Sequence, residues 1–261
     1  MPDRPDPATH DAVSRIPEPA ERVYFVSDVH LGGSAPEAER IKRERLLALF
    51  DRVAAENAAL YILGDLFDFW FDYRTVLPKT AFRILTRLDA LAAGGMPVSY
   101  LGGNHDFWIA DFLGRETAIR VLPDGVLLEC QGRKAHLVHG DGLGPGDTGY
   151  KILKRVLRNR MAIGLFRWIH PDLGIRLAMR SSHASREHTM GHPVDTGALS
   201  REVAGPILAG EADAVLMGHH HVAHHEKLET GEFFILGDWF RLFTCVRLAG
   251  GTFELLRWPL Q

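Results

Sequence analysis

The chain has 261 residues, 46% of them apolar, and 30 Lys and Arg against 33 Asp and Glu give a formal charge of −3. That length and apolar content suit a single domain with one substantial core. The charge excludes general affinity for nucleic acid, no run of about 20 apolar residues offers a membrane span, and two cysteines, Cys130 and Cys245, supply neither a disulfide framework nor a thiolate metal site, which points to a reducing compartment.

In chain order, five of the 14 prolines fall in the first 19 residues, so residues 1–20 are expected to be a disordered tail before a domain over 21–261. The opening Met-Pro-Asp-Arg-Pro-Asp-Pro lacks the apolar core of a signal peptide, which makes the cytoplasm the expected location. Short apolar runs at 23–26, 60–63, 98–101, 135–138 and 214–217 read as buried strands. Helical spacing of apolar residues occupies 38–57 and 80–93. Beyond 214 the strands come without long helices between them: 222–228, 232–236, 242–248 and 253–258 suggest an antiparallel meander, with Gly250-Gly251 as a hairpin signal. The expected fold is α/β, two mixed sheets flanked by helices on both outer faces.

Each of the five buried strands is followed by residues with ligand chemistry: Asp28 and His30; Asp65 and Asp68; Asn104, His105 and Asp106; His139; His219, His220 and His221. In α/β architectures that strand edge is where ligands collect. One Asp-x-His or one buried His is weak evidence, but five such groups, each behind an apolar run, describe a dinuclear centre. Asp65 is the natural bridge, Asp28, His30 and His221 complete one shell, and Asn104, His139 and His219 complete the other. Carboxylate, amide oxygen and imidazole suit Mn²⁺, with Fe²⁺ or Zn²⁺ as alternatives, better than a thiolate-selected metal.

These motifs resemble the calcineurin-like metallophosphoesterases, whose pattern is D-x-H, G-D-x-x-D, G-N-H-D/E, H and G-H-x-H. Over 23–259 the chain is more closely similar to the UDP-2,3-diacylglucosamine pyrophosphatases of lipid A synthesis, through Ala59-Leu-Tyr-Ile-Leu-Gly-Asp-Leu-Phe67, His139-Gly-Asp-Gly-Leu-Gly-Pro-Gly-Asp-Thr-Gly-Tyr150 and Leu236-Gly-Asp-Trp239. The best-known members carry Arg after the metal-binding Asn; His105 stands there in this chain, marking a divergent branch. The resemblance implies a four-layer αββα sandwich, two divalent metal ions, and hydrolysis of the pyrophosphate of UDP-2,3-diacylglucosamine to UMP and the lipid-linked sugar 1-phosphate. It also implies that Asp147 and Tyr150, with Asn104 and His105, contact substrate. As the residue after a ligand, His105 is expected to act on the phosphate, by protonating the leaving oxygen or stabilising charge. In similar enzymes the acid at Asp68 orients the histidine; a structural hydrogen bond is the alternative. Asp238 replaces a small residue of some relatives, and His224 and His225 have no motif context.

Between His139 and His219 the rhythm breaks. Residues 150–186 hold nine Lys and Arg, including Lys151, Arg158, Arg167 and Arg176, against Asp172 alone. Apolar residues from Leu153 to Ile169 recur at helical spacing, giving a basic amphipathic helix. It is either a helix docked on the core or, as the resemblance implies, a lid over about 148–205 that receives acyl chains and meets the anionic inner leaflet of the membrane. The basic insertion argues against a phosphodiesterase or phosphatase acting on a soluble nucleotide and leaves another lipid nucleotide as an alternative substrate, and the complete ligand set argues against a non-catalytic scaffold.

Overall fold

The computed structural model describes residues 14–143, 159–180, 193–210 and 212–259. Asp147, Tyr150, the first part of the basic insertion with Lys151, Leu153, Leu157 and Arg158, and His183, His188 and His192 lie outside them. The strands are β1 (Arg15–Pro17), β2 (Arg22–Val26), β3 (Ala59–Leu63), β4 (Val98–Leu101), β5 (Arg120–Leu122), β6 (Val126–Cys130), β7 (Arg133–Val138), β8 (Ala214–Met217), β9 (Ala223–Leu228), β10 (Gly231–Leu236), β11 (Thr244–Ala249) and β12 (Thr252–Arg257). The helices are α1 (Pro36–Ala55), α2 (Phe82–Ala93), α3 (Ile109–Glu116), α4 (Arg160–Phe166), α5 (residues 171–180) and α6, built from the successive pieces Thr196–Leu199, Ser200–Ala204 and Gly205–Leu208.

Among the described residues the strands make two mixed six-stranded sheets, ordered β1-β6-β7-β8-β10-β9 and β12-β11-β2-β3-β4-β5. Alternation along each strand sends its side chains to two different interfaces. In β2, Val23 and Phe25 meet Leu137, Leu216 and Phe234 of the other sheet, while Tyr24 and Val26 face Leu49 and Phe50 of α1 and the buried side chains of α2 and α3. On the far side Val215, Met217 and Phe233 pack against Leu199, Val203 and Leu208 of α6. Three apolar interfaces therefore separate four layers, helix, sheet, sheet and helix, and strands buried on both faces read as continuous apolar runs.

The structure corrects the sequence reading in several places. Strand β1 pairs in parallel with β6, Ile16 opposite Leu128, so the order begins inside the span 1–20 that was expected to be tail. The four late strands are not one meander. They are two hairpins, β9-β10 and β11-β12, placed in different sheets, with β10 parallel to β8 and β11 antiparallel to β2. Residues 237–243 carry the chain from one sheet to the other. Helix α3 and strands β5 and β6 are short elements that the sequence reading did not identify, although Ile109, Phe112 and Leu113 of α3 share one helical face. The far end of the insertion also differs from a lid over 148–205, because α6 buries Ala198, Leu199, Ala204 and Leu208 in the body.

A candidate dinuclear metal centre

The parallel strands β2, β3 and β4 of one sheet and β7 and β8 of the other end on the same side, and the turns leaving them converge. The turn after β2 is zipped to the turn after β3: the amides of Val29 and His30 both donate to the Asp65 carbonyl at 2.9 Å, and the Leu31 amide donates to the Leu66 carbonyl at 3.0 Å. Among the described non-glycine residues, eight have positive φ, and five of those are Asp28, His30, Asp65, His219 and His221. Left-handed backbone in such residues persists only where the surroundings over-determine it, and it clusters at functional sites. Two glycines allow the turns to close: a Cβ on Gly103 would run into the Asp65 carboxylate, and one on Gly64 would lie 2.6 Å from the Gly103 backbone and from His139 Nδ1.

Two sets of donors result, sharing Asp65. In the first, His30 Nε2 and His221 Nε2 are 3.0 Å apart, and Asp28 Oδ1 lies 3.4 Å from His221 Nε2 and 3.9 Å from His30 Nε2. In the second, Asn104 Oδ1 is 2.9 Å from both His139 Nε2 and His219 Nδ1. Asp65 Oδ2 stands between them, 3.4 Å from His139 Nε2 and 3.7 Å from His30 Nε2. Donors about 2.1 Å from one cation at 90–109° would be about 3.0–3.4 Å apart, and most of these separations fall near that range. Asp28, Asp65, Asp68 and Asp106 are all at most 1% exposed, and buried carboxylates require cations or a dense supply of donors. The residues present therefore fit two divalent ions.

The supports are equally specific. His139 Nδ1 donates to the Leu63 carbonyl at 2.8 Å, which fixes the ring with Nε2 toward Asp65, the orientation that a ligating histidine requires. Asp106 accepts from the amides of Asp65 (3.2 Å), Gly103 (3.0 Å) and Phe67 (3.1 Å) and from the Tyr100 hydroxyl, so one carboxylate ties the Asp65 turn to the Asn104 turn. The sequence reading gave Asp106 no role, although it closes the Gly-Asn-His-Asp motif. Asp68 presents Oδ1 to His30 Nδ1 at 3.3 Å, and its backbone carbonyl accepts from His105 Nδ1 at 2.9 Å. It therefore serves His30 as well as His105. His105 reaches the same space, with Nε2 3.9 Å from Asp65 Oδ2. Asp238, without account from sequence, caps the crossing between the sheets: Oδ1 accepts from the amides of Phe240, Arg241 and Leu242 at 3.2, 2.6 and 2.9 Å.

Burial and charge set the protonation of the centre. Burial pulls His30 down to about 4 against the help of Asp68, and burial with the neighbouring His139 takes His219 to about 3; both rings are neutral near neutral pH. Burial opposes ionisation of Asp28, yet the contact with His221 holds it at about 2. Burial also disfavours charge on His139 and Asp65, but their mutual attraction wins, raising His139 well above and lowering Asp65 well below the usual values. Burial and the Asp65 charge push Asp106 up to about 6.

The remaining sequence candidates divide. His220 stacks edge-on against His219 at 5.1 Å. His224 and His225 lie on β9, where His225 stacks flat on Phe234 at 4.1 Å and meets Glu232 at 3.0 Å. The described part of the insertion docks through Phe166, whose ring is 4.6 Å from Phe71 and 6.1 Å from Phe69, on the segment that follows Asp68. Arg167 Nε donates to the Asp72 carbonyl at 3.2 Å. Met161, Leu165, Trp168, Leu173 and Leu177 are exposed. No helix among the described residues is long and apolar enough to cross a membrane.

A UDP-2,3-diacylglucosamine hydrolase of Porphyromonas gingivalis is 31% identical over 239 residues, covering 84% of this chain and 91% of that protein. One of Yersinia pseudotuberculosis is 29% identical over 243 residues, covering 90% and 98%. The model of the family described as calcineurin-like phosphoesterase matches residues 21–223, a span that holds every donor of both sets, and the chain therefore belongs to that family of metal-dependent hydrolases.

Proposed function

We propose that this protein hydrolyses the pyrophosphate of UDP-2,3-diacylglucosamine, releasing UMP and 2,3-diacylglucosamine 1-phosphate for lipid A synthesis. In this reading Asp28, His30, Asp65 and His221 hold one divalent ion and Asp65, Asn104, His139 and His219 the other, with Mn²⁺ first and Fe²⁺ or Zn²⁺ as alternatives. Bound divalent ions generate a nucleophile from water at neutral pH and neutralise phosphoryl charge. Phosphoryl transfer is mostly positioning and charge neutralisation, in keeping with a site made almost wholly of fixed donors.

His105 is then the acid–base residue. Its Nδ1 is engaged by the Asp68 carbonyl, so Nε2 is the atom that holds the proton offered to the leaving oxygen. Asp147 and Tyr150 are assigned to the glucosamine unit. The substrate class is carried by one observation: the insertion anchors by Phe166 beside the Asp68 segment while Met161, Leu165 and Trp168 stay exposed, an apolar face suited to acyl chains and to a peripheral position on the inner leaflet. The names of the relatives support the same substrate. The test is turnover by the full chain with Mn²⁺ on UDP-2,3-diacylglucosamine, UDP-GlcNAc, CDP-diacylglycerol and bis(p-nitrophenyl) phosphate. The diacylated UDP-sugar should lead. Faster cleavage of UDP-GlcNAc would replace the substrate assignment with a soluble nucleotide.

A further inference from the structure

Two cationic side chains stand behind one half of the centre. Lys42 of α1, 1% exposed, donates to the His30 carbonyl at 2.5 Å and the Val29 carbonyl at 3.3 Å, and pairs with Glu39 at 2.6 Å. Glu39 accepts in turn from the amides of Gly32 at 2.9 Å and Ser34 at 3.0 Å. Arg241 Nη2 donates to the His221 carbonyl at 2.9 Å and lies 3.5 Å from Asp238 Oδ2. Both imidazoles that face Asp28 are thus held through their own carbonyls by charged donors, and both residues have left-handed backbone, with φ of 50° and 54°. The other half is held differently: the His139 carbonyl accepts the neutral Gly218 amide at 3.0 Å. Phe240, in the turn that Asp238 caps, sets its ring edge-on against His30 and His221, at 5.9 and 5.3 Å.

A buried ammonium loses its hydration and is retained only where fixed acceptors replace it. The acceptors of Lys42 include the ligand turn itself and the carboxylate that clasps that turn. A left-handed residue relaxes when its restraints go, and a ring displaced by a few tenths of an ångström no longer points at the same spot as its partner. We propose that Lys42 and Arg241 are positioning residues that set the affinity of the ion held by Asp28, His30, Asp65 and His221, leaving the ion on Asn104, His139 and His219 nearly unaffected. The inference rests on the dinuclear reading above.

The test is Mn²⁺ titration of metal-stripped full-length protein by calorimetry, followed by electron paramagnetic resonance of the loaded samples. Wild type should take two ions per chain. In Lys42→Met and Arg241→Met one of the two steps should weaken by about 10- to 100-fold, the usual effect of losing a group that holds a ligand. The other step should stay within about twofold. At two equivalents of Mn²⁺ the variants should keep an isolated-ion signal where wild type shows a coupled pair, and Arg241→Lys, which retains a cationic donor, should recover part of the loss. Unchanged steps, or equal weakening of both, in Arg241→Met would overturn the proposal. That variant decides the matter if Lys42→Met does not fold, because the Arg241 side chain is 56% exposed. A change in Lys42→Met confined to the melting of metal-free protein would likewise make Lys42 structural only. Wild type binding a single ion would overturn the dinuclear reading and this inference with it, whereas two ions in wild type and unaltered variants would overturn the inference alone.

Discussion

Replacing Leu165 and Trp168 together with Ser separates acyl recognition from chemistry. The two side chains are 70% and 82% exposed, and the residue that docks this stretch of the insertion is Phe166, which both changes leave in place. Fully burying a side chain of the Leu class is worth about 1.5–3 kcal/mol. Covering the exposed share of these two by acyl chains therefore contributes about 1–2 kcal/mol each, or about 2–4 kcal/mol together. At 1.36 kcal/mol per factor of ten, that is a loss of about 30- to 1000-fold in kcat/KM for UDP-2,3-diacylglucosamine. Trp168 also lies under Arg74, whose guanidinium carbon is 5.9 Å from the ring centre; at an exposed site that contact is worth about 0.5–1 kcal/mol, so thermal stability should change little. The assay compares kcat/KM for the diacylated substrate and for bis(p-nitrophenyl) phosphate at saturating Mn²⁺. A strong loss on the first with less than about twofold on the second supports the acyl-binding face. Equal losses on both, or none on either, would refute it.

His105→Ala should leave metal content near that of wild type and slow turnover by about 10²–10⁴, the range of acid–base assistance; a missing ion by elemental analysis would make His105 a ligand. Asp68→Asn removes the carboxylate 3.3 Å from His30 Nδ1, so its main effect should be about 10- to 100-fold weaker metal binding, read by competition with a chelator; unchanged metal affinity with slower turnover would return its role to His105 alone. Asp106→Asn keeps one acceptor oxygen and aims an NH₂ at donors such as the Phe67 amide. A buried donor left without an acceptor costs about 1–3 kcal/mol, which should appear as a lower urea midpoint of the metal-free protein at unchanged slope. A shift below about 0.5 kcal/mol would mean that Asp106 is not the tie between the two turns.

What the sequence determined by itself is what is written locally. A strand buried on both faces is an unbroken apolar run, and the five runs that end in Asp28, Asp65, Asn104, His139 and His219 are β2, β3, β4, β7 and β8. The donors sit within a few residues of those strand ends, so the composition of both sets could be read off the motifs. Tertiary structure alone decided how the strands sort into sheets. An apolar alternation fixes which side chains face a core but names no neighbour, and so β10 and β11, adjacent in sequence, lie in different sheets. The supports were invisible for the same reason. Lys42 looks like any other cation in a charged helix until α1 lays it under the His30 carbonyl, and Arg241 and Asp238 matter because the crossing between sheets brings them behind His221. Such contacts join groups 12 to 20 residues apart through a fold that no sequence period encodes.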